Sequence, residues 1–283
     1  MPHLRRLAIV AVVVAMTLIG ACGQDEPSSQ DSAPQRILVS GAVAGLVDAG
    51  LPQSLLDAAD HPSTLLLMQE VGTNTQLPDA SPTLTYHSVK DLTKALENNE
   101  IPDSMDWLLL DLEGWAQTPR HEQSDPIGAL QEALDAAHEH GKRVIFAPAI
   151  TLMDTLAPGL TGDALYQAFI DQLVTPGAAI ADGFEIQSQR TQATDHATTF
   201  VRDAVQAAIA VNPDGAPVFA GVSTNPNGRE MTVDDLVEVY DAAMAAGATG
   251  YWLNVPSGGK ECPKCGKPRY DLGVEFLTEI SSN

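Results

Sequence analysis

The chain has 283 residues, 44% of them hydrophobic and 18% charged, so it can bury the core of one large α/β domain or two small ones. Its net charge at pH 7 is −22, with 37 acidic residues against 15 Lys and Arg. Such a surface repels phosphate groups, which excludes a DNA or RNA partner. Solubility, or adaptation to salt, explains this much acid without any function for the acidic surface.

The N-terminus has the features of a secretory signal. Arg5 and Arg6 precede the apolar run Leu7–Ile19, which is too short to span a membrane stably. The run leads into IGAC, ending at Cys22, which resembles the lipobox of bacterial lipoproteins. That resemblance implies removal of residues 1–21, acylation of Cys22 (palmitate or a similar chain), and anchoring on the extracytoplasmic face of the cell membrane. The alternative is an ordinary cleaved signal with an incidental Cys.

Residues 22–35 are rich in Ser, Pro, Gln and Asp and are predicted to form a flexible tether, followed by a folded domain over residues 36–283. In this domain, apolar runs alternate with segments of helical spacing. The predicted strands are Arg36–Val43, Ser63–Glu70, Leu84–Tyr86, Asp106–Glu113, Arg143–Pro148, Gly183–Gln189, Pro217–Thr224 and Thr249–Val255. The predicted helices are Leu51–Ala59, Ser88–Asn98, Asp125–Gly141, Asp163–Leu173, His196–Val211, Thr232–Gly247 and Asp271–Ile280, of which three begin with a capping residue (Ser88, Asp125, Thr232).

This alternation predicts a parallel sheet of seven or eight strands, depending on whether Ile37–Gly41 takes part. A folded part of about 250 residues is the usual size of a (β/α)8 TIM barrel, which is the predicted fold. No helix is predicted between the second and third strands, which allows an incomplete or irregular N-terminal third. A doubly wound open sheet is the alternative, but no G-x-G-x-x-G or P-loop follows any predicted strand.

The stretch Asp106–Trp115, DWLLLDLEGW, is apolar and then turns acidic. Alternate residues of a strand share a face, so Leu109, Asp111 and Glu113 are predicted to point the same way. Active sites of TIM barrels lie at the C-terminal ends of the strands, where these two carboxylates would be. They are therefore candidate catalytic residues. Alternatively, they cap a neighbouring helix or accept hydrogen bonds from loop amides.

The same stretch resembles the D-x-x-D-x-D-x-E strand motif of chitinase-like glycoside hydrolases (family 18), whose final Glu is the catalytic acid. Asp106, Asp111 and Glu113 match the motif, and Leu109 stands at its second acidic position. The resemblance implies sugar chemistry on a barrel with Glu113 as the acid. The departure at Leu109 bears on the substrate-assisted mechanism of that family and favours a binding role over catalysis.

Polar residues end several other predicted strands, so a barrel would gather them at one mouth. Glu185 is the candidate second carboxylate, acting as nucleophile or base; alternatively, it is a buried carboxylate bonded to the adjacent strand. We expect Asp111 to raise the pKa of Glu113 by like-charge repulsion, as suits a general acid. The candidate ligand-binding residues are Gln187, Gln189, Trp115, Asn225, Trp252, Asn254 and His121. Either Trp could stack on a sugar ring, although a core position is the alternative for Trp252.

Cys262 and Cys265 form a C-x-x-C pair in a loop. A disulfide is the first interpretation in an oxidising compartment, half of a zinc site the second, and a redox-active pair the third. No H-E-x-x-H, G-x-S-x-G or H-x-H signature appears, and we predict neither a metal site nor a cofactor. A Ca²⁺ or Mg²⁺ site on Asp111, Glu113 and Glu185 is an alternative with few ligands per ion.

The leading functional hypothesis is a lipid-anchored extracytoplasmic protein that hydrolyses glycosidic bonds of envelope or environmental glycans. The second is a non-catalytic lipoprotein that binds a glycan or other small ligand in the same cleft. A barrel enzyme of different chemistry is a third, because one fold hosts many reactions.

Overall fold

The computed structural model describes residues 35–72, 75–212, 215–259 and 262–282, which form a closed barrel of eight parallel strands in sequence order. The predicted TIM barrel is therefore confirmed, and the predicted lipidation site Cys22 lies outside the described residues. The strands are β1 Gln35–Val39, β2 Thr64–Met68, β3 Ser81–Tyr86, β4 Trp107–Leu110, β5 Arg143–Phe146, β6 Gly183–Ile186, β7 Val218–Ser223 and β8 Gly250–Asn254. The barrel closes because Ile37 of β1 pairs with Leu65 of β2 and with Trp252 of β8.

The helices surround this barrel and follow the predicted order with several additions. They are α1 Ser40–Asp48, α2 Gln53–Ala59, α3 Val89–Glu97, α4 Arg120–Ser124, α5 Pro126–Glu139, α6 Met153–Leu156, α7 Gly162–Phe169, α8 Thr175–Ala178, α9 Ala197–Val211, α10 Val233–Ala245 and α11 Tyr270–Ile280. The three predicted caps are present: Ser88 accepts from Asp91 N–H, Asp125 from Gly128 N–H, and Thr232 forms a capping box with Asp235. Among the described residues, no helix is long and apolar enough to cross a membrane.

Two predicted boundaries were wrong. The first predicted strand stops at Val39, because the residues that follow form α1, whose Gly45 lies directly against the ring of Tyr270 on α11. The sixth stops at Ile186, and Ser188–Arg190 forms a 3₁₀ turn instead. In the described residues between β2 and β3 there is no helix, yet the two strands pair directly, so the irregular part is the connection and not the sheet.

The core has two layers, as the alternating leucines of β4 predicted. Leu108, Leu110 and Leu112 pack in the outer layer between strands and helices, whereas Leu109 lies in the inner layer that fills the barrel. The buried members of this inner layer are Ile37, Leu65, Leu67, Leu109, Ile145, Ala147, Phe219 and Trp252. Because apolar side chains fill the interior, only residues beyond this layer can line an open cavity.

Candidate active site

A cavity of about 290 Å³ opens at the C-terminal ends of the strands. Seven of the residues predicted to form a site line it: Asp111, Glu113, Trp115, Gln187, Gln189, Trp252 and Asn254. His87 and Arg190 line it as well. Strand ends that are far apart in sequence therefore meet at one polar mouth, where TIM-barrel active sites lie.

Asp111 is held by side chains from two other strand ends. The Gln187 amide donates to Asp111 Oδ1 at 2.7 Å and to the carbonyl oxygen of Ala147 at 2.9 Å. His87 Nδ1 lies 3.4 Å from Asp111 Oδ2. With its backbone N–H bonded to Tyr86 O, this carboxyl group has a defined orientation beneath the cavity mouth.

Glu113 lies above Asp111 on the same face, and its environment favours the protonated form. Burial raises the pKa of Glu113 to about 7; the charge of Asp111 raises it further, and Arg190 lowers it. The repulsion expected from the sequence is thus present, but burial is the larger cause. Arg190 donates from one terminal nitrogen to Glu113 Oε2 at 3.1 Å.

The loop after Glu113 is ordered by Thr118 and Gln123. The Thr118 hydroxyl accepts from the Glu113 backbone N–H and the Trp115 indole N–H, and donates to His87 O. The Gln123 amide, on α4, donates to the carbonyl oxygens of Trp115 and Thr118 at 2.7 Å each. Trp115 meets the His87 ring edge-on at 4.9 Å and is partly exposed, so this ring is available to a ligand in the cavity.

Glu185 is not brought into the cavity. Its side chain is completely buried in the barrel, and neither carboxyl oxygen has a hydrogen-bond partner among the described residues. Burial raises its pKa well above the ordinary value, and the charges of Asp111 and Glu113 act in the same direction. Gln187 and Gln189, farther along the chain, reach the cavity that Glu185 does not.

Two other predicted ligand-binding residues lie outside the cavity. Asn225 is buried, and its amide donates to the carbonyl oxygens of Cys265 and Pro256 at 2.6 and 3.2 Å, which ties two loops together. The side chain of His121 is 81% exposed on α4. The structure therefore gives Asn225 a loop-fixing position and His121 a solvated one.

Cys262 and Cys265 line the cavity and lie in disulfide geometry, with Cα atoms 5.4 Å apart. Among the described residues, no group of three or more His, Cys, Asp or Glu side chains is arranged to hold a metal ion. The pair thus contributes to the wall of the cavity as a short cross-link within one loop.

Sequence reasoning missed Arg190 and did not assign His87 to the site. His87 was recognisable as a polar residue at a strand end. Arg190 was not, because a strand continued to Gln189 would turn the next residue away from the interior. The 3₁₀ turn at Ser188–Arg190 breaks this alternation and brings the guanidinium to the cavity.

Comparison with known proteins adds little. No family model matches the chain, and no curated protein matches it. Solved structures with a similar course include a class V chitinase from Pseudomonas fluorescens Pf-5 (10% identity, 87% of this chain and 100% of that chain, TM-score 0.49) and a chitinase from Chromobacterium violaceum (12%, 87% and 99%, 0.49). The carboxyl transferase domain of Rhizobium etli pyruvate carboxylase is similar too (10%, 87% and 47%, 0.46). At these identities and TM-scores, the likenesses carry no argument about activity.

Proposed function

We propose that this protein hydrolyses glycosidic bonds in the cavity at the barrel mouth, with Glu113 as the proton donor. The observation that carries the proposal is a carboxyl group with a pKa of about 7 that lines the cavity beside a second carboxylate, Asp111. A carboxylic acid that keeps its proton near neutral pH can transfer it to a departing oxygen.

In the proposed reaction, Glu113 protonates the glycosidic oxygen while the bond from that oxygen to the anomeric carbon breaks. Asp111, oriented by Gln187, stabilises the positive charge that develops on the sugar ring. Water then adds to the anomeric carbon, and a proton returns to the Glu113 carboxylate. Glu185 takes no part, because it does not line the cavity.

The remaining polar and aromatic lining suits a sugar. The partly exposed ring of Trp115 offers a flat apolar face for stacking. Gln189 and Asn254 offer amide groups, which can donate to and accept from sugar hydroxyls. Together these groups support a carbohydrate over an apolar ligand.

The decisive experiment compares Glu113→Gln with the wild type on two kinds of substrate. Loss of a general acid should lower kcat/KM by about 10²–10⁴-fold on an unactivated oligosaccharide. The loss should be much smaller on 4-nitrophenyl glycosides, whose leaving group needs little protonation. Glu132→Gln, at an exposed position of α5, is the matched control. Equal losses on both substrates, or unchanged turnover, would remove Glu113 as the proton donor.

A non-catalytic ligand-binding role is the second candidate, and one observation favours it. With Glu185 sealed, both carboxylates of the cavity are already engaged, Glu113 by Arg190 and Asp111 by Gln187. Under this alternative, calorimetry would detect glycan binding that Glu113→Gln leaves intact, and no glycoside would be cleaved.

We further propose that a lipid on Cys22 anchors the mature protein to the extracytoplasmic face of the membrane. The support is the apolar run that ends at this Cys. In a bacterial host, the full-length chain should enter the detergent phase of a Triton X-114 extraction, and Cys22→Ser should move it to the aqueous phase. Ser28→Ala, in the tether, is the control, and detergent partition of the Cys22→Ser protein would contradict the anchor.

A further inference from the structure

We propose that the cavity selects a sugar bearing a carboxylate, and that Arg190 binds this carboxylate. The inference rests on the proposed carbohydrate ligand and names its chemical class. Arg190 is the one Lys or Arg among the described residues that line the cavity. In a chain with 37 acidic residues and 15 Lys and Arg, a cation at this position is not explained by the average surface.

The guanidinium of Arg190 has unused binding capacity. Its contact within the described part of the chain is a single hydrogen bond from one terminal nitrogen to Glu113 Oε2. The side chain is 41% exposed at the cavity. A guanidinium presents several N–H donors in a planar fork that matches a carboxylate, so one hydrogen bond leaves room for a second acceptor.

A neutral sugar gives no reason for this arrangement. The pairing with Arg190 lowers the pKa of Glu113 and so opposes its use as an acid. A ligand carboxylate would compete with Glu113 for the guanidinium and relieve that effect. The correct substrate would thereby leave Glu113 more firmly protonated, and binding would take up a proton at neutral pH.

The test uses pairs of 4-nitrophenyl glycosides that differ only at C6: glucuronide against glucoside, and galacturonide against galactoside. Calorimetry should give the acidic member of the accepted pair about tenfold tighter binding to the wild type. Arg190→Met should abolish this preference while leaving the affinity for the neutral member unchanged. Arg190→Lys, which keeps the charge but not the fork, should retain only part of the preference. Arg202→Met, on α9, is the control for loss of an exposed Arg.

Proton uptake gives a second readout. Titrations at pH 7 in two buffers of different ionisation enthalpy should show uptake with the acidic member in the wild type and none in Glu113→Gln. An acid preference that survives in Arg190→Met, or a wild type that prefers neutral members, overturns the inference. If neutral sugars bind and are cleaved without any acid preference, only this inference fails. If no sugar binds, the proposed function fails with it.

Discussion

Glu113 and Glu185 are both carboxylates raised in pKa chiefly by burial, but the barrel treats them differently. Glu113 lies beyond the last residue of β4, is 14% exposed, lines the cavity and is paired with Arg190. Glu185 lies within β6, is fully buried and has no hydrogen-bond partner for its carboxyl oxygens among the described residues. The same chemical group is thus a candidate reagent in one place and a buried cost in the other.

The difference follows from depth along the barrel axis. Glu185 pairs in register with Phe219, which belongs to the inner apolar layer. Asp111 and Glu113 continue the inward face of β4 past Leu109, the last member that β4 gives to this layer. A carboxyl group at the level of the layer is sealed from solvent, whereas one above it reaches the cavity.

The largest expected effect compares the two residues in turnover. Glu113→Gln should lower kcat/KM on an oligosaccharide by about 10²-fold or more, because it removes the proton donor. Glu185→Gln should stay close to the wild type, since this side chain does not meet the cavity. Steady-state kinetics on one shared substrate measures both. An equal loss in Glu185→Gln would restore it to the mechanism.

The next effect is on stability against pH. Above the ordinary Glu pKa of 4.5, the unfolded chain releases the Glu185 proton while the folded protein keeps it, because the folded-state pKa is raised. Rising pH therefore favours unfolding, by up to roughly 1.4 kcal/mol per pH unit until the folded-state pKa is reached. Glu185→Gln should remove this part of the slope. Urea unfolding of both proteins at pH 5, 6 and 7 measures it, and identical slopes would contradict a buried, proton-retaining Glu185.

The close packing around Glu185 should make Gly221→Ala destabilising. A Cβ at Gly221 would lie 2.6 Å from Glu185 Oε1 and would also clash with the Gln189 amide. Overpacking of this kind costs about 1–3 kcal/mol in the free energy of unfolding. Gly41→Ala in α1 meets nothing within 4 Å and is the control. A Gly221→Ala protein as stable as the wild type would show that the interior can relax.

The smallest expected effect is on the pH profile. As an acid, Glu113 acts while protonated, so activity should be present below pH 7 and fall above it. Because Arg190 lowers the pKa of Glu113, Arg190→Met should move this fall to higher pH. On a neutral substrate at pH 8, we expect about two- to tenfold more of the wild-type activity at low pH to remain. A shift to lower pH in kcat/KM profiles would exclude this role of Arg190.

Local sequence was sufficient for the fold and for half of the site. Strand faces follow from alternation, so the inward direction of Leu109, Asp111 and Glu113 could be predicted without any long-range information. The number of strands and the spacing of helices predicted the barrel, because each βα unit repeats the same short-range pattern. Caps such as Ser88 and Thr232 marked helix starts for the same local reason.

Only the tertiary structure decided how deep each inward residue lies and which distant residue it meets. Periodicity specifies the face of a strand but not its height against the inner layer, so Glu185 and Glu113 looked alike in the sequence. The Arg190–Glu113 and Gln187–Asp111 contacts join residues far apart in the chain. They depend on the closure of the barrel and on the turn after β6, because no local pattern encodes the meeting of two strand ends.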